Sequence, residues 1–202
     1  MSKMSILRPP PTLCKLFSKK KTICFCEQIT PFFSALFDKM SKMYSIIGSE
    51  FLGYDITQGE VVNGIRNENA LDLSFDDESL DMVVSNDVLE HVPDIDAALR
   101  EAYRVLKKDG YLLFTIPFHS TNEKSKQRAK IENGNIHHIE EASYHGNPIM
   151  PDEGSLVFYD FGWDILDMCK SADFSDANMV AYYDADFGHI DYSPLFVFIA
   201  KK

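Results

Sequence analysis

The stretch LDMVVSNDVLEHVPDIDAALREAYRVLKKDGYLLFTIPF, residues 80–118, carries the pattern that decides the fold. It opens with LDMVVSND (80–87), in which three consecutive apolar residues predict a buried strand. Apolar side chains at three- and four-residue spacing then predict a helix over residues 95–110, at Ile95, Leu99, Ala102 and Leu106. Residues typical of a helix end close it: Lys107, Lys108 and Gly110. YLLFTIPF (111–118) predicts the next strand, and this strand–helix–strand order predicts parallel pairing.

The chain before this stretch repeats the alternation. ICFCE (23–27) predicts a short buried strand, and Thr30 followed by Pro31 is typical of a helix start. Apolar spacing predicts that this helix covers residues 31–43, and YSIIGSEF predicts a second strand that ends near Glu50. These elements together predict a doubly wound α/β fold.

The chain after the stretch begins with a long polar segment, residues 119–153. Loops inside a compact domain are usually shorter, so this segment is either a functional lid or partly disordered. FGWDILDMCKSADF (161–174) predicts a helix. Two apolar runs, residues 178–186 and 195–202, predict two closing strands joined by a loop at Gly188. Such a hairpin ends the sheet with an antiparallel strand.

Charge is unevenly distributed along the chain. The net charge of the 202 residues is −11, yet six basic residues and no acid lie among the first 22: Lys3, Arg8, Lys15, Lys19, Lys20 and Lys21. Without those six charges the body carries about −17, which predicts repulsion from nucleic acid and anionic membranes. We expect residues 1–21 to be a basic N-terminal extension, either a solvated terminus or a surface tether. Residues 22–202 are expected to form a single domain.

Composition also bears on the compartment. A helix that crosses a bilayer needs about 18 consecutive apolar residues, and no apolar run approaches that length. This predicts no stable membrane insertion and a cytoplasmic location. The four cysteines are too few for a disulfide framework and are expected to be reduced: Cys14, Cys24, Cys26 and Cys169. The sequence carries no pattern that predicts an oligomeric state.

Several motifs resemble those of class I S-adenosylmethionine-dependent methyltransferases, in the type 11-like branch with small-molecule substrates. The similarity lies in LSFDDESLD (73–81), in VLEHV (88–92) and in the helix that leads to a strand ending at Pro117. SEFLG, SYHGNP and FGWDILD resemble a bacterial subgroup of these enzymes. The resemblance implies a Rossmann-like seven-stranded sheet of order 3-2-1-4-5-7-6 with an antiparallel last strand. It also implies S-adenosylmethionine as the cofactor.

The cofactor loop departs from the family pattern of an acid followed by spaced glycines. Glu27 keeps the acid, but Gln28, Ile29, Thr30 and Pro31 replace the glycines. Glycines in such loops allow a close approach of the ligand to the backbone. S-adenosylmethionine has no phosphate, and its amino-acid end can instead meet a helix amino terminus or a side chain.

The resemblance assigns further cofactor contacts to strand ends. Glu50, with Phe51 beside it, stands where a carboxylate accepts the ribose hydroxyls; the alternative is a solvated acid at a strand end. Asn69 and Ala70 are implied to contact the adenine ring through an amide oxygen and a backbone N–H. Three residues that leave the next strand are implied to face the methionine part: Ser85, Asn86 and Asp87.

The predicted reaction is methyl transfer to a small-molecule or saccharide-type acceptor. Positioning supplies most of the catalysis, and a general base is needed only if the acceptor loses a proton. Candidates for that base lie in or beside the long polar segment: His119, Tyr144 and His145. His91 is either a helix-surface residue or a substrate contact.

Other readings of the sequence stay open. A methyltransferase-like binding module without catalysis is the main alternative, because the loop glycines are lost. A nicotinamide or nucleotide-sugar oxidoreductase shares the sheet but needs phosphate-binding glycines. No metal site is expected, since the adjacent His137 and His138 have no spaced second pair of ligands.

Overall fold

The computed structural model describes residues 21–147, 149, 152–183 and 194–202. Its helices are α1 (Pro31–Met40), α2 (Ile95–Val105) and α3 (Ile165–Ser171), with a 3₁₀ turn over Leu89–His91. Its longer strands are β1 (Thr22–Phe25), β2 (Ser45–Gly48), β5 (Leu80–Asn86), β6 (Leu106–Thr115), β13 (Asp176–Tyr182) and β14 (Leu195–Lys201). Its short strands are β3 (Val61–Val62), β4 (Ile65–Arg66), β7 (Lys126–Gln127), β8 (Ala129–Glu132), β9 (Asn135–His138), β10 (Tyr144–His145), β11 (Ser155–Leu156) and β12 (Tyr159–Asp160).

The longer strands form one sheet in the order β13-β14-β6-β5-β1-β2. Strand β1 pairs in parallel with both β2 and β5, and β5 pairs in parallel with β6. Strand β14 is antiparallel to both of its neighbours, β6 and β13. The predicted α/β fold with an antiparallel last strand is therefore confirmed.

The expected third strand beside β2 is not formed by the described residues. Only a parallel bridge joins Glu50 to Asn67 at that place, and the intervening β3 and β4 pair with each other as a hairpin. Asn63 and Gly64 at the hairpin tip have φ of 51° and 81°, as in a type I′ turn. In the described residues, six strands of the predicted order 3-2-1-4-5-7-6 are present, as 2-1-4-5-7-6, and the Asn-Gly hairpin lies next to the place of the remaining strand.

Helix α2 is shorter than predicted. It ends at Val105, and Leu106 is already extended and pairs with Leu80 of β5. Lys107 binds the aspartate of β5 at 2.8 Å and does not lie in the last helical turn. The predicted end at Gly110 is therefore wrong, because burial of Leu106 in the sheet outweighs its helix propensity.

Two apolar clusters cover the two faces of the sheet. Successive strand residues alternate between them, so Cys24 joins the larger cluster under α2 and α3 while Phe25 joins the smaller one under α1. The predicted apolar face of α1 is only partly correct. Phe33 is buried against Phe25, whereas Phe32 stays about half exposed. Helices α1 and α3 are both shorter than their predicted ranges.

The long polar segment is built of short antiparallel pairs: β8 with β9, β10 with β11, and β7 with β12. A parallel bridge between Phe118 and Phe161 joins its start to the residues that precede α3. Its described residues form these pairs, and the alternatives of a lid and a partly disordered segment are not tested by them. Its function as a lid stays a prediction.

Some predictions concern residues outside the described ranges: the basic extension over residues 1–20, Cys14 and the loop at Gly188. Among the described cysteines, Cys24, Cys26 and Cys169 are free thiols, as predicted. A helix with the length and apolarity to cross a bilayer is not found in the part of the chain that the structure describes.

Candidate functional site

A cavity of about 600 Å³ opens where the parallel strands β1, β2 and β5 end. This is the edge at which open α/β sheets bind ligands. Seven of the eight residues predicted to bind the cofactor line the cavity: Glu27, Glu50, Phe51, Asn69, Ala70, Asn86 and Asp87. Ser85, the eighth, does not line it. Its side chain is buried, and its hydroxyl has no hydrogen-bond partner within the described part of the chain.

Glu27 lies at the centre of the strand ends. Its carboxylate accepts hydrogen bonds from the backbone N–H of Asn86 at 3.2 Å and from the Asn86 side-chain amide. Burial raises the pKa of Glu27 to about 7, against the lowering effect of those bonds, and the nearby Glu50 and Asp87 add to the rise. A cationic group of a ligand in the cavity favours the charged form of this carboxylate.

The glycine-poor loop after Glu27 has a geometry that needs no glycine. None of the residues from Glu27 to Pro31, all of them described, has a positive φ. Thr30 caps α1 by accepting the N–H of Phe33 at 3.1 Å. Gln28 ties the loop to the neighbouring hairpin through Gly64, whose carbonyl accepts its side-chain amide at 2.9 Å. The loop can depart from the glycine-containing family pattern because its backbone has only φ values that non-glycine residues adopt readily.

A glycine on strand β2 leaves room for the side chains of Gln28 in the loop and Phe33 in α1. A Cβ atom placed on Gly48, the last residue of β2, would lie 2.6 Å from the Phe33 ring and 2.7 Å from Cγ of Gln28. Gly48 therefore lets the loop and α1 approach the sheet closely. Sequence reasoning could not connect Gly48 to the cofactor loop, because the contact depends on the packing of α1.

Glu50 projects from the end of β2 toward the same loop. Its Oε1 accepts the backbone N–H of Ile29 at 3.0 Å. Burial raises the pKa of the Glu50 carboxyl, although the bond from Ile29 lowers it. A carboxylate held in this way still has lone pairs that can accept hydroxyl groups of a ligand.

Asn69 occupies a local turn at the cavity wall. Its side-chain oxygen accepts the N–H of Leu71 at 3.0 Å, and its own N–H donates to the side chain of Gln58 at 2.6 Å. The amide oxygen has a second lone pair for a ligand. Glu68, also at the cavity, is buried and binds Arg66 at 2.7 Å, which anchors this wall.

Of the aromatic residues at the cavity, Phe51 was predicted, whereas Phe32 and Tyr54 were missed by the sequence reasoning. Phe32, Phe51 and Tyr54 all line the cavity, and each exposes at least about 40% of its surface. The rings of Phe51 and Tyr54 meet edge to face at 4.9 Å between centroids. Exposed aromatic rings beside polar strand ends suit a planar ligand group. The available signal was the placement of Phe32 and Tyr54 close to predicted strand ends.

Asp87 closes the strand end opposite Glu27. It adopts φ of 50°, and its carboxylate accepts the Thr115 hydroxyl at 3.1 Å. Left-handed backbone is uncommon outside glycine, although aspartate tolerates it better than most residues. The turn directs the chain from β5 into the 3₁₀ turn that follows.

The three candidate bases are placed differently from one another. His119 is exposed and Tyr144 is 55% exposed, and neither lines the cavity. His145 does not line the cavity either, but its ring meets that of His91 edge to face at 5.0 Å between centroids. His91 does line the cavity, so His145 is the candidate that the fold brings nearest to it.

Glu90 is a buried acid that sequence reasoning did not select. Its side chain is fully buried, and burial raises its pKa to about 8. His91 Nε2 and His145 Nδ1 lie 3.6 and 3.5 Å from its Oε1. The three side chains form a cluster, which we call the Glu90 cluster, at the end of the cavity formed by His91, Gly146 and Asn147.

Comparisons with known proteins show similarity to methyltransferases. The sequence profile of a methyltransferase domain family matches residues 36–114. A demethylmenaquinone methyltransferase of Lactobacillus johnsonii is 33% identical over 90 residues, which are 44% of this chain. The match spans only 36% of the length of that relative.

Solved structures agree in fold along nearly the whole chain. An S-adenosylmethionine-dependent methyltransferase of Methanosarcina mazei has a TM-score of 0.56 at 18% identity, covering 97% of this chain and 99% of that one. Another, from Mesorhizobium loti, has a TM-score of 0.59 at 14% identity, covering 95% and 96%.

The predicted resemblance to class I S-adenosylmethionine-dependent methyltransferases of the type 11-like branch is therefore confirmed. S-adenosylmethionine is the cofactor of this class.

Proposed function

We propose that the protein is a methyltransferase that passes the methyl group of S-adenosylmethionine to a small-molecule or saccharide-type acceptor. The observation that carries this proposal is the cavity at the strand ends, where Glu27, Glu50 and Asn86 converge. Its volume of about 600 Å³ falls in the range of cofactor and small-ligand sites. The proposal takes residues 22–202 as a single domain. It also takes the cytoplasm as the place where the protein acts.

The cofactor is proposed to lie along the strand ends. Glu50 accepts the ribose hydroxyls, and the adenine ring lies by Asn69 and Ala70, against the rings of Phe51 and Tyr54. The methionine part faces a polar group of residues at the ends of β1 and β5: Glu27, Asn86 and Asp87. Glu27 supports this orientation because its carboxylate suits the positive ammonium group of the cofactor.

The acceptor is proposed to enter at the end of the cavity formed by His91, Gly146 and Asn147. A lone pair of the acceptor forms the bond to the methyl carbon while the carbon–sulfur bond breaks. The sulfur would keep the electron pair of the broken bond, which would leave S-adenosylhomocysteine as a neutral thioether, and the proton of a hydroxyl acceptor would pass to a nearby base or to water. Catalysis rests on alignment of the two reactants, and His145, not His119 or Tyr144, stands nearest to this end.

A tritiated methyl donor tests the proposal directly. The protein is incubated with the labelled donor and fractionated metabolites of the source cell, together with quinol and sugar acceptors. At a donor concentration below saturation we expect label in a small-molecule fraction, reduced in Glu50→Ala and kept in Glu60→Ala, an exposed acid outside the cavity.

A second candidate function is the methyltransferase-like binding module. The loop without glycines favours it, because that loop departs most from the family pattern. Tight binding of S-adenosylhomocysteine with no labelled product from any fraction would support the module and exclude the enzyme.

A further inference from the structure

Glu90 is an acidic residue whose side chain is completely buried. Neither carboxylate oxygen has a hydrogen-bond partner among the residues that the structure describes. An isolated buried carboxylate is costly unless it is paired or coordinates a cation. Its backbone is firmly held, since the Glu90 carbonyl accepts the N–H of Phe158 at 2.7 Å. Either a proton or a bound cation must therefore compensate the Glu90 carboxylate.

Two histidines converge on one oxygen of this carboxylate. His91 Nε2 lies 3.6 Å and His145 Nδ1 lies 3.5 Å from Oε1 of Glu90. These distances are too long for hydrogen bonds. They match the spacing between ligands of a tetrahedral ion with metal–ligand bonds of about 2.0–2.2 Å, which is about 3.3–3.6 Å. One ligand atom from each residue lies within 4.8 Å of the other two.

The tautomer of His91 supports the same conclusion. Its Nδ1 lies 2.8 Å from the carbonyl oxygen of Leu156. A carbonyl only accepts, so Nδ1 carries the hydrogen, and the neutral ring presents its lone pair from Nε2 toward Glu90. A lone pair that faces a carboxylate is repelled unless a cation or a proton lies between them. Metal-binding histidines commonly donate their other N–H to a backbone carbonyl, as His91 does.

We infer that Glu90, His91 and His145 form a site for a divalent first-row transition metal ion, with zinc as the best match. Two imidazoles and one carboxylate are ligands that zinc prefers, and three protein ligands leave a fourth position for an exogenous oxygen. This inference departs from the expectation of no metal site, which rested on His137 and His138. Those residues lie on the exposed β9 strand, away from the Glu90 cluster.

The site lies where the proposed acceptor enters, because His91 is both a ligand and a cavity residue. An acceptor oxygen can therefore complete the coordination in place of water. A bound oxygen loses its proton more easily beside a zinc ion. The cation site itself does not depend on methyl transfer and is tested without the methyl donor.

Calorimetry with zinc alone tests the site, using untagged full-length protein stripped with a chelator and then freed of it. We expect one ion per chain, and at least roughly tenfold weaker binding in Glu90→Gln and in His145→Ala, because each removes a ligand. The matched control is His137→Ala/His138→Ala, which removes an exposed histidine pair and should bind zinc as the wild type does. Cobalt binding to the wild type should give the intense visible bands of a four-coordinate ion.

Each outcome decides the inference. Affinity that is unchanged in Glu90→Gln and His145→Ala, or lost in the His137/His138 control, would assign the zinc to surface histidines and overturn it. Absence of saturable binding would overturn it in favour of a proton shared within the cluster. Circular dichroism verifies that each variant is folded, and His145→Ala remains informative if Glu90→Gln does not fold, because the His145 side chain is 40% exposed. Failure of zinc binding leaves cofactor binding untouched, so the two proposals fail separately.

Discussion

At the scale of single residues, Glu50 and Glu27 carry the chemistry proposed for the cofactor. Both are carboxylates at strand ends, and both have a raised pKa because they are buried beside the cavity. Their hydrogen bonds differ, since Glu50 accepts from Ile29 in the loop and Glu27 accepts from Asn86 of β5. The two residues therefore support different experiments.

Replacing Glu50 by alanine should weaken binding of S-adenosylhomocysteine by about 1–3 kcal/mol, the usual size of hydrogen bonds to a charged group. Isothermal titration calorimetry measures the change. Glu50→Gln keeps one acceptor oxygen and should lose less, and the exposed Glu60→Ala should lose nothing. Equal affinity of wild type and Glu50→Ala would remove Glu50 from the ribose site.

Replacing Glu27 by glutamine should change how stability depends on pH. The folded pKa of about 7 lies above the ordinary value of 4.5, so folding favours the protonated form. The contribution of Glu27 to stability is present in full below pH 4.5 and is lost as the pH rises through 7. At pH 8.5 the charged form costs on the order of 3 kcal/mol, because the pKa rises from 4.5 to about 7.

Urea unfolding at pH 5.5 and pH 8.5 checks this expectation. Glu27→Gln should gain stability relative to the wild type as the pH rises, because glutamine stays neutral and can still bind Asn86. The wild type also contains other ionisable groups, and the difference between the two proteins isolates Glu27. A difference that stays constant across this pH range would contradict the raised pKa.

At the scale of elements, the packing of α1 on the sheet explains how the cofactor loop can lack glycine. The loop carries large side chains, and the glycine is found on β2, where Gly48 accommodates Phe33 and Gln28. A change at Gly48 is therefore felt in the loop although the two are far apart in sequence.

Replacing Gly48 by alanine should destabilise the protein by roughly 1–3 kcal/mol, because the new Cβ overlaps packed side chains. Thermal or urea unfolding measures the loss. Phe33→Leu made in the Gly48→Ala protein should cost less than Phe33→Leu alone, since the two sites are coupled.

Gly146→Ala is the matched control for stability, because a Cβ at Gly146 meets no atom of the described residues within 4 Å and Gly146 has no positive φ. It should leave the unfolding midpoint nearly unchanged. Equal stability of the Gly48 and Gly146 variants would show that the loop adapts, and that Gly48 is not required.

At the scale of the whole molecule, charge predicts which partners the protein avoids. The chain carries a net charge of −11, with its basic residues concentrated at the start. We expect no retardation of labelled duplex DNA or structured RNA in a gel at physiological salt, since acidic surfaces repel phosphate. Salt-sensitive binding by the full chain, lost on removal of residues 1–20, would instead assign nucleic-acid contact to the basic extension.

Much of the architecture follows from local sequence patterns. The alternation of apolar runs with helical spacing predicted the α/β fold, and the Thr30-Pro31 pair predicted the start of α1. The family resemblance placed Glu27, Glu50 and Asn86 at strand ends, and they line one cavity because the carboxyl ends of parallel strands meet at one edge. The end of α2 was not predicted, because Leu106 pairs with β5, which is distant in sequence.

The sequence by itself determined the class of fold, the sheet edge at which a ligand site is expected and the acidic character of the molecule, because these depend on periodicity and composition. Only the tertiary structure decided the third strand position, the space at Gly48 and the Glu90 cluster. Those features arise where separate segments meet: β3 turns back on β4, α1 packs on β2, and β10 brings His145 to Glu90. Contacts between distant segments depend on packing and burial, which no local pattern encodes.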